Sequence, residues 1–186
     1  MLVKVTEQQY LQIFKELIRQ NNQENHYYCV ISMPIAIHES RNKDYNEEYC
    51  NEHNIEVLHS DREGGTIVAF KNDINFFYVQ AENKIPREIE FLLQYLRHDK
   101  GLNAVLDWSP NLIGRDIIVD GKYKVATFTN SEYNGVVFSA GHISMSADLA
   151  LISHICTKPM KKIPKGLSDY GITTEEVENI IIESNK

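Results

Sequence analysis

At 186 residues, with 42% hydrophobic and 10% aromatic side chains, the chain is long enough for one domain and can bury a sizeable core, which excludes wholesale disorder. Its formal net charge of -7 and pI near 5.5 speak against a nucleic-acid partner, because neutralising phosphates requires clustered Lys and Arg. Cys29, Cys50 and Cys156 are an odd set without metal spacing, the N-terminus lacks a signal-peptide core, and no apolar run approaches the roughly 20 residues of a membrane span, so we expect no membrane association and reduced thiols in the cytoplasm.

Thr6 and Gln9 stand at capping-box spacing, and Tyr10, Leu11, Phe14, Leu17 and Ile18 recur at helical intervals, predicting an amphipathic helix from Thr6 to about Asn21. His26 to Met33 is β-branched and aromatic and stops at Pro34, which reads as a buried strand, with Ile35 to Ile37 extending it past a kink. Ser40 to Asp44 is polar and turn-like. Tyr45 to His53 follows as a short helix with Asp44 its N-cap and Asn54 its stop, then Ile55 to Leu58 as a strand. Ile74 to Ala81 reads as a central strand, and Pro86 to Lys100, stopped by Gly101, as a helix presenting Ile89, Leu92, Leu93 and Leu96. Leu102 to Asp107 and a turn at Ser109-Pro110-Asn111 lead into a hairpin. A second hairpin signal, Asn134-Gly135, joins Lys124 to Thr129 with Val136 to Met145. A last helix starts near Thr173 or Thr174, where Glu175 and Glu176 suit its positive end, and Ile180 to Ile182 pack inward. No repeat or low-complexity segment appears.

Two stretches carry chemistry. Between Gly114 and Phe128, Asp120-Gly121 separates two β-rich runs, a strong hairpin signal. If the loop takes a third residue with Gly121 left-handed, strand parity puts Asp116, Ile118, Lys122, Lys124 and Ala126 on one face; a strict two-residue loop puts Asp116 and Lys124 on opposite faces. A carboxylate and an ammonium sharing a face can hold a metal-nucleotide and neutralise a phosphate or carboxylate, whereas a surface lysine on a solvated hairpin is the plain alternative. In the second stretch, His59 to Phe70, the adjacent Gly64 and Gly65 let the backbone approach an anionic ligand, and a simple β-turn explains the pair equally well. His38, His53, His98 and His142 show no zinc spacing, and Glu47, Glu48 and Glu52 read as a solvated helix face.

The run from Asp116 to Ala126 resembles the N-D-I-x-V-x-G-x-K-V-S segment of lipoate-protein ligases and their biotin-ligase relatives, with Lys124 at that family's catalytic lysine. His59 to Phe70 resembles the family's R-R-x-S-G-G-G-x-V-x-H; aligned without gaps, His59 and Ser60 replace the arginine pair, Arg62 the serine, Glu63 the first glycine and Ala69 the histidine. Asn72 to Phe76 is similar to G-N-L-N-F, and Glu48-Tyr49-Cys50 to an E-Y-C helix, with His38 to Asn42 standing where a G-R-x-Q-N loop precedes it. Phe138 to Ile143 resembles H-H-G-T-L-L with Gly141 kept, Ala147 to Ile152 resembles a helix opening in x-x-D-L-x-x-L, and Lys165-Gly166 is similar to a K-G pair. The likeness runs from about Tyr27 to Gly166.

The resemblance implies an α+β fold, a mixed and largely antiparallel sheet packed with helices, of the biotin/lipoyl ligase catalytic-domain type. It implies a single catalytic domain over residues 1–186 without a sizeable accessory C-terminal domain, so that an accessory subunit would be separate. The implied reaction is activation of lipoate or octanoate by ATP and Mg2+ to the acyl-adenylate, then transfer to a lysine of a lipoyl carrier domain, as in 2-oxoacid dehydrogenases or the glycine cleavage H protein. Lys124 would be catalytic, neutralising carboxylate and α-phosphate. Gly64, Gly65, Thr66, Asn75 and Gly141 would bind the acyl-adenylate, with Asp116 beside the nucleotide as a weak Mg2+ ligand. Arg62 and Arg115 are added as sources of positive charge on residue type alone; the family motif does not give them.

Two alternatives stand beside this. An octanoyl or lipoyl transferase would use a cysteine thioester and no ATP, and Cys156 lies near where one branch of the superfamily keeps its nucleophile, although a buried structural cysteine is the plainer reading. His154 would point away from Cys156 on a helix. A relative that binds an acyl group or a lipoyl domain without turnover is the other, favoured by the replaced arginines and histidines and opposed by the surviving Asp116 and Lys124.

Overall fold

The computed structural model describes residues 1–20, 25–38, 43–58, 65–80, 84–108, 114–133 and 135–186. Strand β1 (Leu2–Lys4) leads into helix α1 (Glu7–Gln20), whose capping box closes as its spacing predicts: Gln9 N–H donates to Thr6 Oγ1 at 3.3 Å and Thr6 N–H to Gln9 Oε1 at 3.0 Å. The strand expected from His26 to Met33, with Ile35 to Ile37 extending it past a kink, is instead two elements in two sheets, β2 (His26–Val30) and β3 (Ile35–His38). The break is held by α1, because the Glu7 carboxylate accepts the Ser32 N–H at 2.6 Å and the Ser32 hydroxyl at 3.1 Å. Helix α2 (Glu47–Glu52) is capped by Asn46, which accepts the Tyr49 N–H at 3.1 Å; Asp44, expected in that role, has its carboxylate elsewhere.

Strands β4 (Glu56–Leu58), β5 (Ile67–Phe70) and β6 (Ile74–Gln80) precede α3 (Arg87–His98). Then come β7 (Ala104–Asp107), β8 (Gly114–Val119), β9 (Tyr123–Tyr133) and β10 (Val136–Ile143). Helix α4 (Leu149–Ile155), capped by Asp148, the short β11 (Ile163–Pro164), a 3-10 turn at Leu167–Tyr170 and α5 (Thr174–Ser184) complete the chain. In α5, Val177 and Ile181 are buried while Ile182, expected inside, is 39% exposed, because three successive residues cannot share one helix face.

The main sheet has eight strands in the order β1-β2-β6-β10-β9-β8-β7, with β11 alongside β9, and a smaller sheet has the order β4-β3-β5. Only β1 with β2, β11 with β9, and β3 with β4 run parallel among the described pairs, so the architecture is the mixed, largely antiparallel α+β fold that was expected. Alternation divides the main sheet into two faces. Ile74, Phe76, Tyr78, Phe128 and Ile143 pack with Ile89, Leu92 and Leu96 of α3 and Val177 and Ile181 of α5. Phe77, Val79, Phe138 and Ala140 face the other way, against Tyr10 and Ile13 of α1 and Ala69 of the small sheet.

Candidate functional site

The site is set by two irregularities in the β8–β9 hairpin. Val119 pairs with Tyr123, so the loop is the three residues Asp120 to Lys122, with Asp120 at φ 53° and Gly121 at φ 65°. A second slip follows: Ile118 pairs with Lys124 but Ile117 with Ala126, leaving Val125 as an extra residue whose carbonyl accepts the Ser144 N–H at 2.9 Å. Asp116 and Ile118 share a face of β8, and Lys124 opposite Ile118 joins them, while Ala126, past the bulge, pairs with Ile117 and packs in the core while still bordering the cavity. Lys124 Nζ lies 3.9 Å from Asp116 Oδ1, both partly exposed. β11 pairs along Tyr123 and Lys124, and the Lys165 N–H donates to the Lys124 carbonyl at 2.9 Å, which fixes the lysine's backbone from its open side.

Asp116 and Lys124 open into a cavity of roughly 470 Å3 whose wall also includes Gly65, Thr66 and Cys156. Five residues singled out from the sequence thus converge. Sequence reasoning missed several others on the same wall, among them Asp44, His142, Ser144, Lys158, Lys161 and Lys162. Asp44 accepts the Thr66 N–H at 2.9 Å and the Thr66 hydroxyl, and Lys158 Nζ lies 3.4 Å from its other oxygen. Burial opposes its charge, but the two Thr66 donors and Lys158 outweigh that, and its carboxyl sits below the usual range.

Asn75 lies one layer behind the wall. It is buried, its carbonyl oxygen is 2.8 Å from His142 Nδ1, and its amide is 3.3 Å from His38 Nε2. His142 Nε2 in turn lies 3.2 Å from the Ser144 hydroxyl and 3.4 Å from the buried Asp73, which accepts the Phe70 and Met145 N–H groups at 2.8 and 2.6 Å. Asn75 therefore positions a wall residue. Strand alternation was the signal that places His142 toward the cavity once Gly141 faces away.

Besides Asn75, two expected residues are not brought to the cavity. Arg115, one residue from Asp116, is turned to the opposite face, 4% exposed, with its guanidinium 5.2 Å from the Trp108 ring and 5.6 Å from that of Phe128. Its Nε has no hydrogen-bond partner, and burial lowers its pKa. Gly141 packs under Phe76: a Cβ there would lie 2.1 Å from the ring. Arg62 and Gly64 lie outside the described residues, as do the turn at Ser109-Pro110-Asn111 and Asn134. Cys156 is half-buried at the end of α4, and burial first, then Asp44, push its thiol up despite Lys124.

No group of three or more His, Cys, Asp or Glu gathers at metal-ligating distance among the described residues. Mg2+ is commonly held by one or two carboxylates with substrate phosphates completing its shell, so Asp116 at the cavity wall fits a metal that arrives with a nucleotide. No helix among the described residues is long and apolar enough to cross a membrane.

Residues 32–185 match the family model of the lipoyl protein ligase A/B catalytic domain. A lipoate–protein ligase of Streptococcus pyogenes is 25% identical over 178 residues, covering 84% of this chain and 50% of its own length, so the chain spans half of that relative. Among solved structures, a P. falciparum protein in complex with lipoate superposes with a TM-score of 0.77 at 14% identity, covering 99% of this chain and 60% of that one. A lipoate-protein ligase A bound with ATP gives 0.73 at 16% identity over 99% and 82%. The bi-partite lipoate protein ligase of T. acidophilum, studied with its lipoyl domain, gives 0.71 at 14% identity over 98% and 80%. At these identities the superpositions establish the fold.

Proposed function

We propose, from the premise that the chain belongs to the lipoyl protein ligase A/B catalytic-domain family, that it activates lipoate or octanoate with ATP and passes the acyl group to a lysine of a lipoyl carrier domain. The observation that carries this reading is the meeting of Lys124 and Asp116 with the Gly65-Thr66 strand entrance in one cavity. In the first step a carboxylate oxygen of the acid attacks the α-phosphorus of ATP and pyrophosphate leaves. Negative charge concentrates on the carboxylate and α-phosphate as they meet, and the Lys124 ammonium, anchored on a strand paired at both edges, is preorganised to neutralise it. In the second step the carrier lysine's amine attacks the acyl carbon and AMP leaves. Asp116, 3.9 Å from Lys124 Nζ, orients the ammonium and is the carboxylate that would hold Mg2+, which would neutralise phosphate charge when bound. Lys158, Lys161 and Lys162 at the same wall add positive potential for an anionic nucleotide.

The partner in this reading is a lipoyl domain of a 2-oxoacid dehydrogenase or the glycine cleavage H protein, and the free thiols of Cys29, Cys50 and Cys156 support a cytoplasmic setting. Transfer through a Cys156 thioester is the second reading, since Cys156 shares the cavity; its raised thiol pKa opposes it, because the thiolate is the nucleophile. Mass spectrometry of a purified lipoyl domain incubated with this protein and octanoate or lipoate decides between them. We expect acylation that requires MgATP. Acylation only from an acyl-carrier thioester transfers the chemistry to Cys156, and no mass shift from either donor leaves a non-catalytic binding protein.

A further inference from the structure

The cavity has two walls of different origin. One is the strand entrance Gly65-Thr66, which belongs to the small sheet through β5; the other is the segment after α4 that carries Cys156 and Lys158. Asp44 and the two residues after it are tied by backbone to the second of these walls alone: Asn46 N–H donates to the Ile155 carbonyl at 2.7 Å, Tyr45 forms an isolated antiparallel bridge with Cys156, and the Asp44 carbonyl accepts the Thr157 N–H at 3.3 Å. The Asp44 side chain then spans what the backbone leaves open. Its Oδ1 takes both Thr66 donors and its Oδ2 faces Lys158 Nζ at 3.4 Å, with only 10% of the side chain exposed. A charged acceptor with so little water around it makes directional, strong hydrogen bonds, and their loss leaves the Thr66 N–H without its partner at a half-buried site.

We propose that Asp44 is a positioning residue of the acyl-activation site: its carboxylate clamps the Gly65-Thr66 entrance to the Lys158 segment, so that two cavity walls from different parts of the fold keep one spacing around the acid substrate. The catalytic half of this rests on the ligase reading; the clamp itself does not. Asp44 touches no reacting atom in this scheme. It holds Thr66 by two hydrogen bonds and draws the Lys158 ammonium, whose own side chain is 64% exposed, to 3.4 Å across the cavity mouth.

The test uses Asp44→Ala and Asp44→Asn with two readouts. Backbone amide exchange of Thr66, followed by NMR, reports the clamp without reference to activity; we expect exchange about tenfold faster or more in Asp44→Ala, while amides of β6 keep their protection. Steady-state acylation of a lipoyl domain reports positioning; we expect KM for the acid to rise about tenfold with a smaller fall in kcat, with Asp44→Asn intermediate and formate restoring part of the activity of Asp44→Ala, since a free carboxylate can occupy the vacated place. Unchanged Thr66 exchange overturns the clamp. Faster exchange with an unchanged or tighter KM overturns the positioning role and makes Asp44 a competitor of the anionic substrate. Wild-type protein that protects Thr66 through Asp44 yet acylates nothing defeats the ligase reading and the catalytic half together, with the clamp established. Should Asp44→Ala fail to fold, a double-mutant cycle of Asp44→Asn with Lys158→Met decides: non-additive effects on KM support the clamp, and additive ones overturn it.

Discussion

The two faces of the main sheet are made by the same strands and have opposite characters. Toward α3 and α5 the centre is filled mainly by large apolar side chains, including Ile74, Phe76, Phe128, Ile89, Leu92 and Leu96, with Gly141 under Phe76 and Arg115 beside Phe128 as the exceptions. At its margin Glu176 accepts from Lys100 at 2.8 Å and from the Tyr95 hydroxyl at 2.7 Å. Toward the cavity the sheet instead buries Asn75, His142 and Asp73 in one connected polar chain and places Asp116 and Lys124 at an open wall. Buried polar groups cost free energy unless satisfied, so this face keeps its site only through that connected chain of hydrogen bonds, while the helical face is stabilised chiefly by apolar burial. The separation is a property of strand alternation: Asp116 and Arg115 are neighbours in sequence and end on opposite sides.

If the division is real, substitutions on the helical face should lower stability and leave chemistry intact, and those on the cavity face the reverse. The largest stability effect is expected from Leu96→Ala, which removes a fully buried side chain and should cost about 2–5 kcal/mol in chemical denaturation at unchanged kcat of the surviving folded enzyme. Gly141→Ala comes next, at about 1–3 kcal/mol, because the new methyl meets the Phe76 ring at 2.1 Å. Gly141 lies in a motif that pointed to ligand binding, so a loss of activity without loss of stability would break the comparison at that residue. The smallest effect concerns acid. Lys100 first, then the Thr173 N–H and Tyr95, hold the Glu176 carboxyl at about 2, below its ordinary 4.5. A depressed carboxyl stabilises the fold fully above 4.5 and loses that contribution as pH falls toward about 2. The melting difference between wild type and Glu176→Gln should therefore be present at pH 6 and shrink through this window, with high salt reducing it throughout because the carboxyl is exposed.

Much of this arrangement was legible in the sequence where the determining interactions are local. The capping box at Thr6, the helix start at Thr173, the helix from Pro86 and the Asp120-Gly121 turn all came from residues within a few positions of one another. What was not legible depends on distant partners. The Pro34 break was visible, but only Glu7 and the pairing of β3 with β4 and β5 turn it into a change of sheet. Asp44 preceding a short helix has the chemistry of a cap; Asn46, two residues later, sits directly before the helix and takes that role, which frees Asp44 for Thr66, 22 residues away. The bulge at Val125, which decides where Ala126 goes, is fixed by the Ser144 N–H across the sheet. For the site, the resemblance singled out Lys124, Asp116 and Gly65-Thr66, which line one cavity. It gave no means of separating Asn75, one layer behind the wall, or Arg115, on the other face, from residues that line it.

The central claim is that Lys124 neutralises charge as the acid meets the α-phosphate. Exchange of labelled pyrophosphate into ATP, dependent on added octanoate or lipoate, reads that half-reaction alone. We predict acid-dependent exchange in the wild type, reduced about 10²–10³-fold in Lys124→Ala at an unchanged melting temperature, as removal of one preorganised charge from a transition state would do. Exchange that survives in Lys124→Ala would contradict the assignment of Lys124.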